Sequence, residues 1–205
     1  MSEIIYILTN EAMPGFVKIG KTSTSLEQRI KELSGSTSIP VPFTCFYACI
    51  VENAGFVEKQ LHNAFDNHRI NPRREFFQID PERVVAALKL AEKEDITPKI
   101  DLTESKEDQD SLNQVRKMRP AFNFTQAQIP VGATLTFSRD TAIQATVNSD
   151  RTILFNGVPT SLSAAAQQLL GYKYNVQGTA YWTYEGETLD ERRQRIESTS
   201  AQTAP

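Results

Sequence analysis

The stretch IIYILTNEAMPGFVKIGKT, Ile4 to Thr22, leaves the start of the chain few ways to fold. Ile5, Ile7, Val17 and Ile19 are β-branched and recur in twos, the period of a strand. Asn10, Pro14 and Gly15 supply turn chemistry between the two runs. The pattern predicts an antiparallel hairpin. Pairing Tyr6 with Lys18 puts the four β-branched residues on one face. Tyr6 and Lys18 then share the other face, expected to be open, with Gly20 leaving room beside them. A phenol next to an ammonium also fits an ordinary cross-strand polar pair at a surface.

Beyond the hairpin the periodicity alternates between helix and strand. In STSLEQRIKELSG, Ser25 and Gln28 have capping-box spacing, Leu26, Ile30 and Leu33 keep helical spacing, and Gly35 is a stop. PFTCFYACIV reads as a third strand and AGFVEKQLHNAFDNH as a helix with Val57, Leu61, Ala64 and Phe65 on its apolar face. REFFQI is a short extended piece. DPERVVAALKLAEKE is a helix with Asp80 as N-cap and Pro81 at its first position. The order predicts an α+β domain over residues 1–93, a small antiparallel three-stranded sheet flanked by helices. Cys45 and Cys49 fall on one face of the third strand, too far apart for an easy disulfide and wrongly spaced for a zinc knuckle, so two buried free thiols are expected.

The 205 residues suffice for two small domains, and the charge shows where to divide them. The net charge of −3 is not spread evenly: residues 1–93 hold 11 Lys/Arg and 11 Asp/Glu, residues 94–118 hold 4 and 7, and residues 119–205 hold 7 and 7. The acidic, polar segment 94–114 reads as a linker that swings free. A second domain is expected over 115–197, with a disordered tail over 198–205. Its strands are ATLTF, AIQATV, TILF and AYWTY. Its helices are AAAQQLLG, with a serine N-cap and a glycine C-cap, and LDERRQRIE. That makes it a small α+β or β-rich module without a metal-ligand cluster. No apolar run reaches the roughly 20 residues of a membrane span, and the N-terminus lacks the basic region of a secretory signal, so the expected compartment is the cytoplasm.

The chemistry concentrates in the first domain. Glu58 and His62 lie four apart, on one helix face beside the apolar stripe. Arg29 borders the buried face of the preceding helix. Each fits a bland role alone, a helix-surface pair or a snorkelling arginine. With Tyr6 and Lys18 they make a set that could cleave a phosphodiester. Glu58 can hold one hard cation such as Mg²⁺, which polarises a phosphate oxygen. Arg29 offers a planar fork to the developing charge. Tyr6 can orient or deprotonate water, with Lys18 expected to lower its pKa.

The blocks IIYIL, FVKIGKT, QRIKEL, VEKQLHNAF and REFFQI resemble, in order and spacing, the GIY-YIG nuclease superfamily. The likeness covers about residues 3–88 and is closest to the orf172-like branch of phage and bacterial proteins, whose second motif reads K-I-G. It implies that Tyr6 is the base or water-orienting group and that Arg29 contacts the scissile phosphate. Glu58 would be the metal ligand, His62 an auxiliary group in E-x-x-x-H, and Glu75 an auxiliary residue of the late block. Two positions depart from the pattern: Ile4 stands for the first-motif glycine and Lys18 for the second-motif tyrosine. Lys21, Arg69, Arg73 and Arg74 are candidate DNA contacts, the last three in a loop that also holds His68.

GATL, SLSAAA and YWTY followed by LDERR resemble the RAMA domain, over about 129–195. That likeness implies DNA or modified-base recognition, with Tyr181, Trp182 and Tyr184 as candidates for a stacking surface, although a lone tryptophan equally serves a core. The whole reads as a DNA endonuclease dependent on Mg²⁺ (or Mn²⁺) with a module for target choice, in restriction or a phage role. Cutting both strands could use a homodimer. The alternative is a catalytically inactive DNA-binding regulator on the same fold.

Overall fold

Residues 3–35 and 39–202 are described in a computed structural model of the chain, which divides into two units at Arg119. In the first unit β1 (Ile4–Thr9) pairs antiparallel with β2 (Phe16–Thr22). Tyr6 lies opposite Gly20 and Leu8 opposite Lys18, two residues away from the expected register. The turn explains the slip. Two successive turns, Met13 N to Asn10 O and Phe16 N to Met13 O, absorb the residues between the strands, and the Asn10 side chain is tied down to Val41 O at 2.7 Å. Because the slip is even, every side chain keeps its expected face.

The expected open face is closed. Ile4, Tyr6 and Leu8 pack with Ala48 and Cys45 beneath Leu26 and Ile30 of α1 (Leu26–Ser34), and Tyr6 is only 1% exposed. The opposite face buries Ile5, Ile7, Val17 and Ile19 against α2 (Ala54–Ala64) and α3 (Pro81–Leu88). Local caps set these helices: Ser25 Oγ accepts from Gln28 N, Asn53 Oδ1 from Phe56 N, and Asp80 Oδ1 from Glu82 N.

β3 (Thr44–Val51) pairs with the other edge of β1. An extra residue, Phe46, bulges between Cys45 opposite Leu8 and Tyr47 opposite Ile7. The bulge flips the alternation, so Cys45 shares the Leu8 face while Cys49, opposite Ile5, points to the other. The two thiols are free and buried as expected, but not on one face. Burial, with Glu92 and Asp95 nearby, pushes the Cys49 thiol up to about 12.

β4 (Phe76–Gln78) extends the sheet beyond β2, and β5 (Glu92–Asp95) extends it beyond β3, giving the antiparallel order β4-β2-β1-β3-β5. The expected three strands are thus the centre of five. β5 comes from sequence expected to continue α3, where the unpaired edge of β3 outcompetes a short helical propensity.

The acidic segment is not a free linker. It folds onto the first unit through α4 (Lys106–Met118). Leu112 is fully buried, and Arg116 makes a bidentate pair with Asp101 at 2.6 and 2.7 Å and donates to Thr44. Ion pairing replaces the apolar stripe that the sequence lacks here.

The second unit is a six-stranded antiparallel sheet, order β11-β10-β6-β7-β8-β9. Its strands are β6 (Thr134–Phe137), β7 (Asp140–Val147), β8 (Ile153–Phe155), β9 (Val158–Thr160), β10 (Trp182–Tyr184) and β11 (Glu187–Thr188). Asn156 and Gly157, both at positive φ, make the tight turn from β8 to β9. α5 (Leu162–Leu170) has the expected Ser161 N-cap and Gly171 C-cap, the latter at φ 68°. α6 (Leu189–Gln202) runs through 198–202, expected as disordered tail, and 203–205 lie outside the described residues.

Candidate active site

Strand β2 organises the candidate residues through its alternation. Lys18 and Gly20 face Tyr6 and α1, while Ile19 and Lys21 face α2. Gly20 is required here by contact: a Cβ built on it would lie 2.6 Å from the Tyr6 hydroxyl and 2.7 Å from the ring carbon bearing it. The phenol thus lies flat across the glycine. Arg29 Nε donates to the hydroxyl at 3.3 Å.

Lys18 does not activate this phenol. Its ammonium, on a side chain 9% exposed, donates to Glu75 Oε2 at 2.6 Å. Burial raises the Tyr6 pKa, and the charges of Glu75 and Glu58 push the same way against the hydrogen bond and charge of Arg29. The expected lowering is therefore reversed, and Tyr6 is a neutral phenol at physiological pH. Glu75 is shifted oppositely: burial would raise its carboxyl, but the Lys18 hydrogen bond and charge, with smaller help from His62 and Arg29, hold it below the usual carboxylate range.

On the other side of β2, Lys21 Nζ donates to Glu58 Oε2 at 2.5 Å. That hydrogen bond raises the Lys21 pKa. His62, one turn along α2, places Nε2 3.0 Å from Ile19 O and tilts its ring onto Phe77. A carbonyl only accepts, so Nε2 is the donor, and in the neutral form of the ring Nδ1 holds the lone pair. Tyr6, Lys18, Arg29, Glu58, His62 and Glu75 thus flank β2 from its two faces, close enough that the charges of Glu58 and Glu75 act on Tyr6 and those of His62 and Arg29 on Glu75.

Beside them opens a cleft of about 570 Å³, lined by Lys21, Thr22, Ser23, Thr24, Arg29 and Asn53 together with Glu3 and Glu32. The sequence signal for this hydroxyl-rich lining is the run KTSTS, Lys21 to Ser25, which begins in the last two residues of β2.

The arginine loop divides in two. Arg69 is folded in, over the Phe77 ring at 4.8 Å and bonded to Pro72 O, so it is not a free phosphate contact. Arg73 and Arg74 are exposed, and their side chains have no partner among the described residues. His68 Nδ1 lies 3.2 Å from Gln78 O.

Residues 3–92 match the T5orf172 domain. The T5orf172 domain is phage-associated and of a nuclease-like, DNA-binding kind. The match takes in β1 through α3 and every first-unit site residue from Tyr6 to Glu75, but less than half of the 205 residues. No curated protein matches the chain.

Among the described residues no group of three or more His, Cys, Asp or Glu could hold a metal ion. A hard cation within residues 3–92 would therefore rest on one or two carboxylates, with water and phosphate oxygens filling its shell, a common arrangement for Mg²⁺. Glu58 fits by donor type, with its side chain 14% exposed and bonded to Lys21, which lines the polar cleft. The Lys21 side chain is 46% exposed.

In the second unit the candidate stacking residues do not form an open platform. Trp182 is fully buried, donates to Leu162 O at 3.2 Å and meets Phe137 and Phe155 edge-on. Tyr181 is 4% exposed. Tyr184 is half-buried, with one ring face under Arg192. Among the described residues no helix is long and apolar enough to cross a membrane.

Proposed function

We propose that the T5orf172 domain of this chain is a metal-dependent DNA endonuclease of the GIY-YIG type, using Mg²⁺ (or Mn²⁺) at Glu58. One observation carries the reading: a phenol, a guanidinium, two carboxylates and an imidazole lie within electrostatic reach of one another about β2, with Arg29 also lining a polar cleft. The ion, when bound, would draw charge from a phosphate oxygen and stabilise the leaving group. Arg29, half-buried and beside the cleft, places its guanidinium to meet charge developing on phosphorus. Tyr6, neutral in the free protein, orients a water through its hydroxyl oxygen. Nδ1 of His62 keeps a lone pair that can take a proton. Lys18 and Glu75 position these groups by neutralising one another beneath Tyr6.

The second unit, by its RAMA-like blocks, would choose the target or a modified base, with a surface other than the buried Trp182. A cytoplasmic restriction or phage role fits this pairing. One such site cuts one strand, so a double-strand break would need a homodimer, a second visit or a large rotation. The rival reading, a DNA-binding regulator without catalysis, draws support from the carboxylates of Glu58 and Glu75, both already occupied by lysines.

Plasmid nicking with Mg²⁺, Mn²⁺ or EDTA, for wild type beside Glu58→Ala, separates the two. Metal-dependent cutting that vanishes in the variant while DNA binding persists supports the nuclease. Metal-indifferent binding without nicking on unmodified or base-modified DNA establishes the regulator.

A further inference from the structure

We propose that Lys21 is an internal stand-in for the metal: in the DNA-free protein its ammonium fills the cation position at Glu58, and it leaves for a phosphate in the adjoining cleft when the metal enters. The inference rests on Glu58 being the metal ligand.

Geometry makes the two cations exclusive at the same oxygen. The ammonium nitrogen lies 2.5 Å from Glu58 Oε2. A Mg²⁺ ion binds carboxylate oxygen at about 2.0–2.1 Å. An ammonium and a dication cannot both sit that close to one oxygen, and even on the two oxygens of one carboxylate they repel.

The lysine is also placed by the fold. Lys21 pairs with Ile5 on the strand face that looks toward α2, so its backbone is fixed by register while its side chain stays 46% exposed. It has somewhere to go, because it lines the same cleft as Thr22, Ser23, Thr24, Arg29 and Asn53, a set of hydroxyl, guanidinium and amide donors suited to phosphate oxygens. Lys18, three residues back, cannot do this: its side chain is 9% exposed and points to the other face. The consequence is coupling. Phosphate in the cleft frees Glu58 by engaging Lys21, and metal at Glu58 frees Lys21 for phosphate, so each favours the other.

The test is Mn²⁺ binding by the full chain without DNA, followed by paramagnetic broadening of backbone amide signals near Glu58. Wild type, Lys21→Met and Glu58→Gln are compared. Lys21→Met should bind Mn²⁺ about tenfold tighter or more, as expected when a positive charge a few ångström from a dication is removed even with water's screening. Glu58→Gln should lose the broadening. Equal affinity in wild type and Lys21→Met, with loss in Glu58→Gln, overturns the stand-in role and leaves Glu58 as ligand. Broadening that avoids Glu58 in every variant overturns the metal assignment, and the lysine proposal with it. As a second reading, the Lys21 ¹⁵Nζ signal of wild type should move from ion-paired to solvent-like as Mg²⁺ is added. A signal indifferent to Mg²⁺ refutes the exchange.

Discussion

Replacing Gly20 by alanine should damage both stability and the site, because of one side chain. The new methyl would lie 2.6, 2.7 and 2.8 Å from three atoms of Tyr6, closer than Cβ atoms come to a neighbour in folded proteins. To reach ordinary contact near 3.4 Å the hydroxyl must retreat by about 0.8 Å. The ring is 1% exposed within the Ile4, Leu8, Leu26 and Ile30 cluster, so it cannot move outward without displacing core. Overpacking of this kind costs about 1–3 kcal/mol. The same displacement disturbs the 3.3 Å contact with Arg29, so nicking should fall further than unfolding alone explains. Urea unfolding of the single variants and of Gly20→Ala with Tyr6→Leu makes a double-mutant cycle. If Tyr6 is the cause, the penalty should shrink to under about 0.5 kcal/mol on the Tyr6→Leu background, the scale of uncoupled sites. A full penalty that persists without the phenol would refute the reasoning and locate the strain in the β2 backbone.

Three further outcomes follow from named contacts. Glu75 has a lowered pKa when folded, so its stabilising effect is present above the ordinary carboxylate range and is lost as pH falls through the folded value. Glu75→Gln should thus be destabilised by about 1 kcal/mol near neutrality, the upper end for a partly exposed pair, with a gap to wild type that closes in acid and narrows in high salt. Asp101→Ala removes the bidentate partner of Arg116 and should cost about 3 kcal/mol, the low end for breaking a buried pair because Glu11 and Thr44 remain, while speeding hydrogen exchange over 106–118; a free linker would show neither. Trp182→Phe loses the bond to Leu162 O and should cost at least about 1 kcal/mol, with DNA affinity unchanged and Trp182 fluorescence in wild type insensitive to added DNA; quenching by DNA would restore the stacking role.

Local pattern carried the faces of the hairpin better than its register. The alternation of Ile5, Ile7, Val17 and Ile19 names a face whatever the pairing, whereas the register depends on how many residues the turn consumes, and Asn10 spends its side chain on Val41, 31 residues away. Parity also failed once, at Phe46, because a bulge depends on the partner strand and leaves no mark in a run of apolar residues. The acidic segment was misread because α4 is held by Arg116 on Asp101, a contact between charged residues that each look solvated alone. Its start was legible, however, in Ser105 followed three residues later by Asp108. The Tyr6 environment was misread for a related reason. Proximity to Lys18 was inferred correctly in face, but the partner of Lys18 came from Glu75, 57 residues on.

Under the proposed function, the five residues from Lys18 to Thr22 prepare a phosphate site within a segment that has no net basic excess around it. Strand alternation sends Lys18 inward and Lys21 toward α2, and each meets a carboxylate delivered by a different element, Glu75 before β4 and Glu58 on α2. Gly20 between them removes the side chain that would keep Tyr6 from lying across the strand. The cations of the site are therefore held by internal pairs in the free protein, and Arg73 and Arg74, exposed and without a side-chain partner among the described residues, remain for long-range attraction to phosphate. Paired charges of this sort contribute little field at a distance yet can exchange partners on contact. The balance of 11 Lys/Arg against 11 Asp/Glu over residues 1–93 is thus compatible with a DNA-facing site: what matters is which charges can change partner, and the 46% exposure of Lys21 against 9% for Lys18 assigns that freedom to Lys21.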